Sequence, residues 1–176
     1  KRLRFWKDYG DKNLIQMKIK KIQPLGAEIT DLDLSRDLSE PERKLIKEAF
    51  LENLVLIFKD QKLNPRSLFL AASLWGPPQK HPVFQGLDEY PEIIKIENYG
   101  KKYHTNAHWH SDVTFEEEPP DATILYAIDV PSEGGNTLFS NQYKAYEFLE
   151  TSLKQKLNNC KAINSNRSVV LLAGAD

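Results

Sequence analysis

Asn106-Ala107-His108-Trp109-His110-Ser111-Asp112-Val113-Thr114-Phe115 sets apolar Trp109, Val113 and Phe115 in alternation with His108, His110, Asp112 and Thr114. A period of two is that of a strand with one apolar and one polar face. On such a strand His110 and Asp112, two residues apart, point the same way and can chelate one ion. An imidazole with a carboxylate is a borderline-to-hard donor pair, suited to ferrous iron when a second histidine completes a 2-His-1-carboxylate face. No histidine follows His110, so the chain offers two thirds of such a site. Taken alone, a His-x-Asp pair is more often a solvated or structural pair than a metal site. The polar face raises the metal reading, because ionisable groups on a buried strand need a partner and a cation is one.

Around this stretch, residues 81–139 break into short strand-like pieces at 93–96, 109–115, 123–128 and 137–139, divided by Pro, Gly and acidic turns. That spacing suits a β-sandwich or barrel. Upstream, Lys18-Ile19-Lys20-Lys21-Ile22 alternates like a half-buried strand, and a turn at Pro24-Leu25-Gly26 leads to a second strand at Ala27-Glu28-Ile29. Ser39-Glu40-Pro41-Glu42 is a helix start, with Ser39 as N-cap, Glu42 completing a capping box, and Leu45, Ile46, Ala49 and Phe50 as the inner face. Leu54-Val55-Leu56-Ile57-Phe58 is expected to be a buried strand. Asn64-Pro65 opens a helix with Leu68, Phe69, Ala72 and Trp75 near its inner face, stopped by Gly76-Pro77-Pro78. Two helices are expected near the end, over 141–150 with Ala145, Phe148 and Leu149 inward and after Thr151 or Ser152 with Leu153 and Leu157; Ser168 to Leu172 reads as a strand. Residues 1–16 precede the only methionine, Met17, and read as an N-terminal extension; 17–176 read as the N-terminal and central part of a single domain.

With 176 residues the chain is long enough for a real core, burying about two thirds of the surface its unfolded form exposes. Lys and Arg number 24 and Asp and Glu 25, for a net charge of -1, which argues against nucleic acid or an anionic membrane as partner. The eight Lys and Arg within 1–21 read as a solvated tail rather than a basic arm. The single Cys160 excludes an intrachain disulfide and a Cys-rich zinc site; its default reading is a buried, inert thiol in a reducing cytoplasm. No apolar run approaches a membrane span or a signal-peptide core.

Downstream of His110-Ser111-Asp112 come Pro119-Pro120, Ile124-Leu125-Tyr126-Ala127, Pro131-Ser132-Glu133-Gly134-Gly135-Asn136-Thr137-Leu138-Phe139, and then Asn141 and Ala145-Tyr146-Glu147. In this ordered series the chain resembles the taurine dioxygenase family of ferrous iron and 2-oxoglutarate dependent oxygenases. The resemblance reaches upstream through Pro24 to Ile29, Leu54 to Gln61, and Trp75-Gly76 leading to His81-Pro82-Val83, so it covers roughly residues 18–157. It implies an α+β fold, a double-stranded β-helix (jelly roll) core with flanking helices, with the C-terminal part of that core missing from this chain.

By the same resemblance His110 and Asp112 are the first two iron ligands, and Thr137 hydrogen-bonds 2-oxoglutarate. Asn136 stands where the family commonly has aspartate, a change that keeps the turn-forming shape. In the sulfonate-binding branch, the histidine and asparagine that contact the anionic head match His81 and Asn106. A tyrosine there is replaced by Phe84, which removes a hydroxyl donor and counts against taurine itself, leaving open an alkyl sulfate, a bulkier sulfonate or another small anion. The implied function is an Fe(II)- and 2-oxoglutarate-dependent dioxygenase of sulfur metabolism that uses dioxygen to hydroxylate a small anionic organic substrate, with release of succinate and CO2. The second iron-binding histidine and the anion-binding arginines are expected from strands beyond Asp176. The alternative is a truncated, non-catalytic anion-binding module, and assembly into a homo-oligomer is left open. His104 and His108 read as structural, and a cupin-type set of His108, His110 and Glu116 is disfavoured by its spacing.

Overall fold

The computed structural model describes residues 15–97, 109–167 and 169–170. Its sheet has three strands, β1 (Lys18–Lys21), β2 (Ala27–Thr30) and β3 (Leu56–Phe58), in the order β1-β2-β3. β1 pairs antiparallel with β2, Ile19 opposite Ile29, and β2 pairs parallel with β3, Glu28 opposite Ile57. The parallel pair is bridged by α1 (Glu40–Asn53), as a parallel connection requires. β2 is central and supplies Ala27 and Ile29, both fully buried; β1 is an exposed edge, so the half-buried strand expected at 18–22 is a solvated one.

Gly26 explains how the hairpin enters β2. Its φ of +105° is open to glycine, and an added Cβ would sit 3.3 Å from the Val55 carbonyl oxygen, which accepts the Ala27 N–H at 2.9 Å. The strand expected over 54–58 is shorter at its start. Leu54 caps α1 in the left-handed region (φ 65°), donating its N–H to Phe50 O, so the strand proper is Leu56–Phe58.

The start of α1 follows the sequence reading: Ser39 is the N-cap, and Glu42 accepts from the Ser39 N–H and Oγ–H, each at 2.8 Å. Ile46 and Ala49 are its buried residues on the core side. α2 (Pro65–Ala72) begins at Asn64, whose side chain accepts from Ser67 N, and runs into a 3₁₀ turn at Ser73–Trp75. Its inner face is rotated from the expected one. Ala71 and Leu74 enter the core, whereas Leu68, Phe69, Ala72 and Trp75 line a cleft. The core joins Met17, Ile29, Leu32, Leu34, Leu38, Ile46, Ala71 and Leu74, so among the described residues it lies between 15 and 75.

Beyond residue 75 the expected strands at 93–96, 109–115, 123–128 and 137–139 form no ladder among the described residues. A strand needs a neighbour to take its N–H and C=O groups, and period-two patterning supplies none. Among the described residues the sheet is the small mixed one of β1, β2 and β3. α3 (Gln142–Glu147) and α4 (Thr151–Leu157) are shorter than expected, and Phe148, Leu153 and Leu157, expected inward, are exposed. At the expected last strand, Val169 and Val170 lie in a helical turn, with Val170 N–H donating to Asn166 O; residues 171–172 lie outside the described residues. Cys160 is exposed rather than buried, with its Sγ 3.2 Å from Lys156 O. No helix among the described residues is long and apolar enough to cross a membrane.

Candidate metal centre

His110 and Asp112 do meet, but not on a strand. Residues 112–115 form a turn in which Val113 adopts φ 51° and Glu116 N–H donates to Val113 O. A β-branched residue in the left-handed region is rare and breaks the alternation expected of 109–115. His110 Nε2 lies 3.3 Å from Asp112 Oδ1, with both side chains roughly half exposed. The other carboxylate oxygen, Oδ2, accepts a hydrogen bond from Thr123 Oγ1 at 3.0 Å.

Thr123 is positioned by the segment 121–127, whose burial alternates so that Ala122, Ile124 and Tyr126 turn inward while Thr123 and Leu125 face out. Tyr126 fastens this segment to the core half of the molecule. Its hydroxyl accepts from Leu63 N–H at 3.1 Å and donates to the Gln61 carbonyl at 3.3 Å. Gln61 is itself fixed, its Oε1 accepting from Leu34 N–H at 2.8 Å and its Nε2 donating to Leu32 O and Lys59 O at 2.7 Å each. The expected strand at 123–128 thus keeps its alternation as far as residue 127 and is held by side chains instead of a ladder.

His81 belongs to the loop that runs on to Phe84. Its Nδ1 accepts from the backbone N–H groups of Val83 (3.1 Å) and Phe84 (3.0 Å), so the neutral ring carries its proton on Nε2 and offers a donor there. Burial pushes its pKa below the usual histidine value, while the carboxylates of Asp112 and Glu116 pull it the other way. The Phe84 ring lies 4.7 Å from the imidazole, centroid to centroid, and backs the same loop.

Thr137 stands exposed after the Gly134-Gly135 turn, where both glycines have positive φ (76° and 66°), and among the described residues nothing joins it to Asp112. Asn106, with His104 and His108, lies outside the described residues. A cleft of 1840 Å³ opens beside the site, lined among others by Leu68, Phe69, Trp75, His81, Glu116, Thr123 and Ile124. The Trp75 Nε1–H is buried there without a hydrogen-bond partner among the described residues.

The donor set fits a cation in part. With bonds of about 2.1 Å, adjacent donors around an octahedral ion lie about 3 Å apart, close to the His110–Asp112 separation of 3.3 Å. Among the described residues no third His, Cys, Asp or Glu joins them to make a closed site. Sequence reasoning missed Thr123 and Tyr126. Tyr126 gave no local signal for a contact to residues more than sixty positions away, and Thr123 gave only its outward place in the alternation.

The family description "Taurine catabolism dioxygenase TauD, TfdA family" matches residues 18–171. The chain is 35% identical to an alkylsulfatase of Acinetobacter baylyi over 153 residues, covering 86% of this chain and 48% of that protein. It is 32% identical to an alpha-ketoglutarate-dependent sulfate ester dioxygenase of Pseudomonas putida, covering 81% of this chain and 47% of that one. The crystal structure of a taurine dioxygenase from Burkholderia xenovorans superposes with a TM-score of 0.71 at 32% identity, covering 81% of this chain and 51% of that chain. The chain spans about half the length of the curated relatives it matches.

Proposed function

The chain belongs to the taurine catabolism dioxygenase TauD, TfdA family, and from that membership we propose that the protein carrying it is an Fe(II)- and 2-oxoglutarate-dependent dioxygenase. Its substrate on this reading is a small organic sulfate ester or sulfonate, and the fold is the jelly roll whose early part this chain supplies. The observation that carries the proposal is the His110 Nε2 and Asp112 Oδ1 pair, 3.3 Å apart, with the second carboxylate oxygen already engaged by Thr123. Ferrous iron with 2-oxoglutarate and dioxygen supplies the oxidising power for hydroxylating a C–H bond, the cosubstrate leaving as succinate and CO2.

The chain's own residues hold, orient and exclude. His110 and Asp112 provide two neighbouring donors for the ion, and Thr137 binds the cosubstrate carboxylate. His81, neutral and with its proton on Nε2, offers that N–H to an anionic oxygen of the substrate, and a neutral donor suits a ring partly withdrawn from water. Asn106 is the second polar contact. Phe84 packs on His81 where a tyrosine would add a hydroxyl, which favours an alkyl sulfate over taurine. The apolar lining residues Leu68, Phe69 and Ile124 suit an alkyl chain.

The test is turnover by the natural protein that carries this sequence. Incubated with ferrous iron, 2-oxoglutarate and a panel of alkyl sulfates and sulfonates, it is expected to release succinate in a substrate-dependent way, most with alkyl sulfates. Absence of substrate-dependent succinate across the panel, with anion binding that ignores both iron and His110→Ala, would replace this reading with the non-catalytic anion-binding module.

A further inference from the structure

The geometry points to Thr123 as a positioning residue that makes Asp112 a one-oxygen metal ligand. The inference deepens the metal-centre reading and rests on it. A free carboxylate beside a cation can bind through one oxygen or both, and the choice fixes how many positions around the ion stay open. Here Oδ2 is taken by the Thr123 hydroxyl at 3.0 Å, while Oδ1 faces His110 Nε2 at 3.3 Å. The hydroxyl thus settles which oxygen meets the ion and turns the carboxylate plane toward His110.

Two features suit Thr123 to this role. It lies on the outward face of a segment anchored three residues later by Tyr126, whose hydroxyl is bonded to Leu63 and Gln61, so the donor is held from the core rather than from the turn that carries Asp112. Asp112 itself sits in a turn without ladder bonds, next to Val113 in the left-handed region, where backbone alone fixes a side chain poorly. A hydrogen bond from a separate, tethered segment supplies the missing constraint. Partners of this kind, one step removed from the ion, typically change metal affinity about 10- to 100-fold when removed.

The experiment is a Co(II) titration of the natural protein that carries this sequence, followed by visible absorption under anaerobic conditions, with Thr123→Val, Thr123→Ser, His110→Ala and Asp112→Ala. Thr123→Val keeps the side-chain shape and deletes the hydroxyl. It is expected to weaken Co(II) binding about 10- to 100-fold and to alter the d–d bands, because the released Oδ2 reaches the ion. Thr123→Ser restores affinity to within about threefold of the native value and restores the native spectrum. Affinity and spectrum unchanged in Thr123→Val, with binding lost in His110→Ala and Asp112→Ala, overturn the role of Thr123 alone. A serine variant as weak as the valine one also overturns it, since the hydroxyl would then not be the cause. Native Co(II) binding in His110→Ala and Asp112→Ala overturns the metal centre and this inference together. Should valine alter the far-ultraviolet circular dichroism, Thr123→Ala is titrated in its place with the same expectations.

Discussion

Glu42→Gln tests how the first helix is held. Glu42 is buried at the start of α1, where its carboxylate accepts from Ser39 N–H and Oγ–H at 2.8 Å each and from Arg36 Nη1 at 3.1 Å, while Arg36 Nη2 binds the other oxygen. The Arg36 guanidinium, with Ser39, outweighs burial and holds the carboxyl down from 4.5 to about 2. That difference is equivalent to about 3 kcal/mol of folding stability at neutral pH. Arg36 is about half exposed, so solvent screening brings the expected loss in Glu42→Gln to about 2 kcal/mol. Because the folded pKa lies below the unfolded one, this stabilisation is complete above about pH 4.5 and disappears as pH falls through about 2. Roughly 40% of it survives at pH 3. Urea unfolding of both proteins at several pH values, followed by circular dichroism, reads the difference directly. Equal stability at pH 7, or a gap that does not narrow between pH 5 and pH 3, would refute the reasoning.

Three further outcomes follow from packing. Ile46→Ala removes a fully buried side chain from the core and is expected to lower stability by about 2–5 kcal/mol in urea unfolding, against about 1 kcal/mol for Ile46→Val. Tyr126→Phe deletes the bonds to Leu63 and Gln61 and is expected to destabilise by about 1 kcal/mol, with faster amide exchange confined to the neighbourhood of Leu63 and the 121–127 segment. Gly86→Ala would place a Cβ 2.1 Å from the Pro91 carbonyl oxygen, so the loop closed by Leu87 N–H to Ile93 O must shift; a loss of about 1–3 kcal/mol is expected, and an unchanged unfolding midpoint would contradict the close approach.

What the chain reveals in one dimension is what depends on near neighbours. The start of α1 was legible because Ser39, Pro41 and Glu42 act within one turn, and the start of α2 because Asn64 and Ser67 bond each other across three residues. Leu54 shows the limit. Its apolar run matched a strand, but closing α1 required a left-handed residue at that place, and the helix end took it. The strands expected beyond residue 75 form no ladder among the described residues for another reason: alternation says which side chains share a face, not which segment supplies the partner N–H and C=O groups. The same gap explains why Phe148, Leu153 and Leu157 were expected inward and are exposed.

For the site, the sequence by itself determined that His110 and Asp112 stand two apart, that His81 precedes a proline-bearing loop ending in Phe84, and that the ordered motifs from Pro24 to Glu147 resemble one family. These are matters of residue identity and short spacing, and they survive even where the strand assumed beneath them becomes a turn. Only the tertiary structure decided that Asp112 turns Oδ1 to His110 and Oδ2 to Thr123, and that Tyr126 ties that segment to Gln61 and Leu63. Those contacts join residues 11 and more than 60 positions apart, so they are fixed by the path of the folded chain, which no local pattern records.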